Sequence, residues 1–292
     1  STSDDNFRTV LRTALDSEYR MIDACSMYAN QRIIGEVLRE YFTDGKLKRE
    51  DVFIIGQLPF CAMDPLEAEI AINKELAELD LCYIDLYLIQ SIPMKQINGR
   101  LVQQNHINHI DTWRVLERFY KLGFIKALGL TNFNARQVED LYAKAEIKPS
   151  NLQVELHLYW PQHELQSLCS RLNMSLTAFA PIGSPGRIGF CGDETMPIGN
   201  PLEDPLVVRL SKKYGKTPAQ ILLSHTVQRR ISVIPKSMNP SRIVENIDIF
   251  DFELSCEDQM KLLSIKKRIR LFEFRFCAEN RHFPFDDVAL TI

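Results

Sequence analysis

Nothing in this sequence approaches the roughly 18 consecutive apolar residues that a membrane-crossing helix requires. The opening stretch STSDDNFRTV has no basic segment followed by an apolar one, so no secretory leader is expected. Charge of one sign is not in excess: the formal net charge is −3, which excludes a general electrostatic field for nucleic acid or an anionic membrane. The one basic run, KKRIR (266–270), is short and reads as a solvated helix face. The seven cysteines are odd in number, scattered and never spaced C-x-x-C, and the six histidines form no H-E-x-x-H pattern. A metal centre is therefore not expected, and reduced thiols in the cytoplasm fit best. Low-complexity or linker-like stretches are also missing, so the chain, 1–292, reads as one domain.

What is present is an alternation. Short runs that are apolar on both faces recur at YRMIDAC (19–25), VFIIGQL (52–58), IDLYLIQ (84–90), FIKALGL (124–130), NLQVEL (151–156), SLTAFA (175–180) and RISVIP (230–235). Strands of that kind are covered on both sides, as in parallel sheets. Amphipathic segments separate them. NQRIIGEVLREYF (30–42) puts Ile33, Ile34, Val37 and Leu38 on one face, and 64–79 opens with an aspartate cap and Pro65. Residues 109–123 stop at Gly123, 134–145 start on an asparagine cap, and 218–229 and 240–250 open with proline. With a further helix at 7–17, this predicts an α/β fold, a (β/α)8 TIM-type barrel, one strand short at its start.

Barrel enzymes place their chemistry at the carboxyl ends of the strands. Those ends read Asp23, Gln57, Gln90, Thr131 and Asn132, Gln153, Phe179, and Lys236 with Ser237, and Tyr28 follows Asp23 in the first loop. Any one of these has an alternative reading, since strand ends are polar where they meet water. A second cluster is IPKSMNPSRIVEN (234–246). Lys236 and Ser237 end a strand, and Arg242, Glu245 and Asn246 lie on the next helix. Basic groups beside a helix amino terminus suit a phosphate, and Glu245 and Asn246 suit the amino edge of a base.

On YRMIDACSMYANQRIIGEVL (19–38), REDVFI (49–54), LDLCYIDLYLI (79–89), LGLTNFN (128–134), NLQVELH (151–157), APIGSPGR (180–187), VIPKSMNPSRIVENIDIFDFELS (233–255) and FPFDD (283–287), the chain resembles the aldo-keto reductases. The resemblance implies NADPH-dependent reduction of aldehydes and ketones, with an Asp, Tyr, Lys and His tetrad. Asp23 and Tyr28 match the first two, Tyr28 as proton donor. Gln57 stands at the lysine position and Gln90 at the histidine position. The resemblance assigns Thr131, Asn132 and Gln153 to the nicotinamide carboxamide, with threonine in place of serine. Phe179 would stack on the nicotinamide where a tyrosine is usual, and Ala180 replaces a serine. Ile182 and Ser184 would cover the pyrophosphate, Lys236, Ser237 and Arg242 would hold the 2′-phosphate, and Glu245 and Asn246 the adenine. It also implies that the family's amino-terminal hairpin and first strand are absent, leaving strand edges at MIDA and SVIP that lower stability unless another segment or a partner chain covers them.

The two glutamines bear on the chemistry. A phenol titrates near pH 10, and an adjacent ammonium lowers that while an adjacent carboxylate raises it. Without the lysine, Tyr28 is expected to be a poor acid, and Asp23 an unpaired carboxylate that the Gln57 amide and backbone amides would have to satisfy. Two readings stay open: a carbonyl-reducing NADP(H) oxidoreductase with weakened activity, or a catalytically inactive NADPH- or ligand-binding pseudoenzyme with a regulatory or scaffold role. The expected ligand is a small carbonyl compound or apolar molecule, bound by a monomer. The pocket walls are expected in 91–110, 188–200 and 270–285, with Phe190, Phe272, Phe274 and Phe276, whereas Trp113 is expected to pack within its own helix.

Overall fold

The computed structural model describes residues 2–186 and 199–285, and among these described residues are nine strands and ten α-helices. Arg187, the pocket segment 188–198 with Phe190, and Asp286 and Asp287 of the quoted motifs lie outside the described residues. The strands are β1 (Met21–Asp23), β2 (Phe53–Gln57), β3 (Leu86–Gln90), β4 (Met94–Ile97), β5 (Arg100–Gln103), β6 (Leu128–Thr131), β7 (Asn151–Glu155), β8 (Ser175–Phe179) and β9 (Ser232–Ile234). The helices are α1 (Thr2–Asp16), α2 (Gln31–Thr43), α3 (Pro65–Leu79), α4 (His109–Lys121), α5 (Ala135–Lys144), α6 (His163–Arg171), α7 (Pro205–Tyr214), α8 (Pro218–Gln228), α9 (Pro240–Ile247) and α10 (Cys256–Leu263).

Seven strands form one parallel sheet in the order β1-β2-β3-β6-β7-β8-β9, curled into the expected α/β barrel. Helices lie outside it because both faces of each strand are apolar. Ile54, Tyr87, Ile89, Leu130 and Leu152 pack outward with Ile34, Val37, Leu38, Trp113 and Leu116 from the helices. Ile55, Leu86 and Leu88 fill the inner face with Met21 and Ala127 against them. At about 25 cal/mol per Å² of buried apolar surface, the outer layer is the larger stabilising share. Trp113 packs as expected: it is fully buried, and its indole nitrogen donates to the Ile147 carbonyl at 2.9 Å.

Among the described residues no strand lies between β1 and β9, so each pairs on one side only. The helical layer bridges that side. α1 packs on α9, and the Tyr19 hydroxyl donates to the Ile243 carbonyl at 3.1 Å.

The starts of the helices follow their caps. Asp64 accepts from the Leu66 amide, Asn134 and Gln137 form a reciprocal capping box, as do Thr217 and Gln220, and Asn239 accepts from the amides of Ser241 and Arg242. The basic run 266–270 differs from the expectation. α10 ends at Leu263, and the run belongs to no helix or strand; its Arg270 guanidinium lies 3.9 Å from the Phe285 ring centre and 4.4 Å from that of Trp160. Stacking on aromatic faces outcompetes another helical turn there. The stretch expected as pocket loop at 91–110 contains an antiparallel hairpin, β4–β5, turned by Asn98 (φ 50°) and Gly99 (φ 78°). No described helix is long and apolar enough to cross a membrane.

Candidate active site

The ladder register brings the strand ends to one rim: Gln57 pairs with Leu88, Gln90 with Thr131, Thr131 with Gln153, and Phe179 with Ile234. Asp23 ends β1 on the same side, beside Ile55.

Asp23 is satisfied differently from expectation. Its Oδ1 accepts from the Cys25 amide at 3.1 Å and its Oδ2 from Gln153 Nε2, across the barrel, at 2.9 Å. The Gln57 side chain makes no hydrogen bond to it among the described residues; the Gln57 carbonyl instead accepts from Ser26 Oγ at 3.1 Å, which ties down the turn carrying Tyr28. Burial pushes the Asp23 carboxyl above the usual range, and the two hydrogen bonds oppose that. Tyr28 is 46% exposed. Its phenol is pushed well above its ordinary value, first by the loss of water around its buried side, then by the Asp23 carboxylate and the Cys25 thiol. One cation is near: Lys236 Nζ lies 5.2 Å from the centre of the Tyr28 ring.

Gln90 accepts at Oε1 from Asn132 Nδ2 at 3.4 Å, which leaves the Gln90 amide hydrogens to face another acceptor. Beside it lies a recess of about 30 Å³ lined by Gln90, Ser91, Asn132, Phe60, Ile92 and Met94, with Phe274, Phe276 and Cys277 of the tail over it. That is room for a water or two.

The cofactor-side residues share the rim. Thr131 is 1% exposed and its hydroxyl has no partner. Asn132 takes a left-handed backbone (φ 61°), and its amide donates to the Gln153 carbonyl at 3.0 Å. Phe179 is half-buried, with the Phe272 ring edge-on at 5.5 Å. Ile182 packs into a second core with Leu158, Tyr159 and Val207, and Ser184 sits in a left-handed turn (φ 44°). At the start of α9, Ser237 Oγ accepts from the Asn239 amide at 3.1 Å. Lys236 and Arg242 are exposed, and neither is paired with a carboxylate among the described residues. On α9 Arg242 is exposed, whereas Asn246, one turn further on, is buried. Glu245 is engaged by the Thr217 hydroxyl at 2.8 Å.

NADP(H) fits this donor set on one observation in particular. The Thr131 hydroxyl is buried without a partner at the position expected to meet the carboxamide, and such an orphan costs about 1–3 kcal/mol unless a ligand satisfies it. The exposed Lys236 and Arg242 at a helix start suit an anion. No group of three or more His, Cys, Asp and Glu side chains suited to a metal ion occurs among the described residues.

Two buried acids were not anticipated. Glu155, ending β7, accepts from the amides of Leu271 at 2.6 Å and Phe272 at 2.9 Å and pairs with His157 at 2.9 Å. A charged residue closing an otherwise uncharged strand was the signal that marked it. Glu75 on α3 accepts from the Tyr87 hydroxyl at 2.8 Å, and burial pushes its carboxyl up to about 8. Gly56 makes this contact possible, since a Cβ there would stand 2.6 Å from the Tyr87 ring.

The family model "Aldo/keto reductase family" matches residues 1–267. The chain is 38% identical over 288 residues to aldo-keto reductase family 1 member A1 of Bos taurus, covering 96% of this chain and 87% of that one. It is 38% identical over 291 residues to member A1-A of Danio rerio, covering 93% and 88%. Among solved structures, the aldose reductase from Schistosoma japonicum superposes with a TM-score of 0.87 at 33% identity, covering 97% of this chain and 92% of that one. A Bombyx mori aldo-keto reductase in complex with NADP also gives 0.87, at 29% identity, covering 96% and 89%.

Proposed function

The chain belongs to the aldo/keto reductase family, and from that premise we propose that it is an NADP(H)-binding oxidoreductase that reduces a carbonyl group to an alcohol, with Tyr28 as proton donor and with weakened activity. When bound, NADPH supplies the hydride. Thr131, Asn132 and Gln153 hold the carboxamide, Phe179 gives the ring a face to stack on, and Ile182 and Ser184 border the pyrophosphate. Lys236, Ser237 and Arg242 take the 2′-phosphate at the start of α9, with Glu245 and Asn246 next to the adenine. Gln90, fixed by Asn132, presents its amide hydrogens to the carbonyl oxygen and orients it. Tyr28 passes its proton to that oxygen as hydride arrives at carbon. The step is slow because the phenol faces Asp23 with no ammonium at the Gln57 position.

The observation that carries the reading is the unpartnered Thr131 hydroxyl on the same rim as Tyr28. Steady-state oxidation of NADPH with aldehydes, quinones and ketosteroids tests it, against a Tyr28→Phe control. Turnover above that control is the expected result, and equality with it rejects the reductase.

A specific observation favours a second reading, a pseudoenzyme that binds NADPH or an apolar ligand without chemistry. Gln153, wanted for the carboxamide, is already bonded to Asp23. Fluorescence titration separates the cases: NADPH affinity without turnover supports binding alone. In either case the small carbonyl or apolar ligand enters past Phe274 and Phe276, the protein works as a monomer, and its free cysteines suit the cytoplasm.

A further inference from the structure

Many cations among the described residues face acids. Lys95 pairs with Glu67, Lys213 with Asp258, and Lys216 with Asp248 and Asp251. Lys236 instead lies over an aromatic face, 5.2 Å from the ring centre of Tyr28. The topology explains how they meet. Tyr28 sits in the turn after β1, Lys236 follows the end of β9, and these two strands flank the open side of the sheet among the described residues. Two segments separated by more than 200 positions in sequence thus face each other across one gap.

Resting on the reading of Tyr28 as proton donor, we infer that Lys236 is the cationic partner of Tyr28, a positioning residue that acts across the open side of the barrel where Gln57 supplies no charge. Among the described residues, the groups facing Tyr28 are Asp23 at the end of β1, Cys25 in the same turn, and Lys236 from beyond β9. The first two disfavour a phenolate. Lys236 is the only one that favours it. An ammonium over a ring face interacts with the π system of a phenol, and more strongly with a phenolate, which adds a full negative charge to the same ring. Its exposure and its ring-centre position keep the effect modest, well below that of an ammonium set against the hydroxyl. The same lysine is proposed above to meet the 2′-phosphate, so a measurement on the phenol itself, made without coenzyme, isolates this role.

The test places 3,5-difluorotyrosine at position 28, whose fluorines make the phenol more acidic and bring its titration into a range where the fold holds, as circular dichroism at each pH verifies. The ¹⁹F shift is then followed against pH. Replacing the cation by Lys236→Met is expected to raise the midpoint by about half a pH unit, the size of an exposed cation–π contact. Lys236→Arg is expected to restore it, because the charge over the ring returns. Coincident midpoints for the parent and Lys236→Met proteins overturn the inference. NADPH titration of the unlabelled parent protein reads the reductase proposal separately: normal affinity with coincident midpoints leaves that proposal standing and removes this one. A shifted midpoint without NADPH affinity does the reverse.

Discussion

The two halves of the rim are built on one continuous ladder yet differ in charge. At the ends of β1, β2 and β3 stand Asp23, Gln57 and Gln90, with Glu75 behind them: two acids and two amides, no cation. From β6 round to α9 stand Thr131, Asn132, Gln153, Phe179, Lys236, Ser237 and Arg242; the two exposed cations of this half have no carboxylate against them among the described residues, and its acids are engaged elsewhere, Glu155 by the amides of Leu271 and Phe272 and Glu245 by Thr217. Strand pairing passes from one half to the other without a break. The frame therefore does not depend on the charge pattern. On the β1–β3 side Asp23 is held without a cation by hydrogen bonds from Gln153 and the Cys25 amide, at about 1.5–3 kcal/mol for a bond to a charged group. For proton transfer the proposed substitute is Lys236, set over the Tyr28 ring and not against its hydroxyl.

The sharpest way to erase the contrast is to restore the cation. Gln57→Lys combined with Gln90→His is expected to raise kcat/KM for carbonyl reduction by about 10²–10⁴-fold, the usual worth of a tuned general acid and its orienting partner. NADPH oxidation against an aldehyde measures it. A double variant that binds NADPH and stays inactive moves the defect from charge to the recess under the tail.

The cofactor half has its own dependence on a buried acid. Glu155 holds the amides of Leu271 and Phe272, and Phe272 in turn lies against Phe179. Glu155→Ala leaves two buried amides without partners and is expected to cost about 3 kcal/mol, read as a lower urea midpoint. Hydrogen exchange is expected to rise first across 270–285, because that segment is what the carboxylate holds. A uniform rise across the barrel instead would make Glu155 a framework residue.

How far the sequence revealed this can be traced residue by residue. Apolar runs on both faces predicted all seven parallel strands, because burial on both sides leaves a local mark. Helices α6, α7 and α10 were not read. Yet Asp204 before Pro205 and Ser255 before α10 are ordinary caps, and Asn98-Gly99 is a common hairpin turn, so those signals were local and overlooked. The partners of Asp23 were not legible in any local pattern. Gln153 lies 130 positions away and reaches it only because the sheet curls. The same holds for Lys236 over Tyr28 and for the tail under Glu155. Matching motifs located the rim; closure of the sheet decided who bonds whom on it.

Glu75 sharpens the comparison on the catalytic side. Burial raises its carboxyl to about 8, against about 4.3 for a free glutamate. Between those values the folded protein keeps a proton that the unfolded chain has lost. Stability from this group is full below about pH 4 and falls as pH rises toward 8, by up to ~1.4 kcal/mol per pH unit. Glu75→Gln keeps the hydrogen bond with Tyr87 and removes the titration. Urea unfolding at pH 5 and pH 7 is expected to show the parent losing on the order of 2 kcal/mol more than the variant over that interval. Parallel losses in the two proteins would mean that Glu75 is already ionised in the fold.

The smallest effect is expected at Thr131, and it separates the halves by ligand rather than by stability. Its hydroxyl is buried without a partner, so Thr131→Val exchanges an unsatisfied polar atom for a methyl of similar size. Without coenzyme the variant should unfold at the same urea concentration as the parent or slightly higher, because nothing bonded is removed. With coenzyme it should bind NADPH about fivefold more weakly, the worth of one hydrogen bond near 1 kcal/mol. Both halves of that result are needed. Weaker binding with lower coenzyme-free stability would show that the hydroxyl serves the fold, and unchanged binding would take Thr131 out of the coenzyme site while leaving the remaining donors in place.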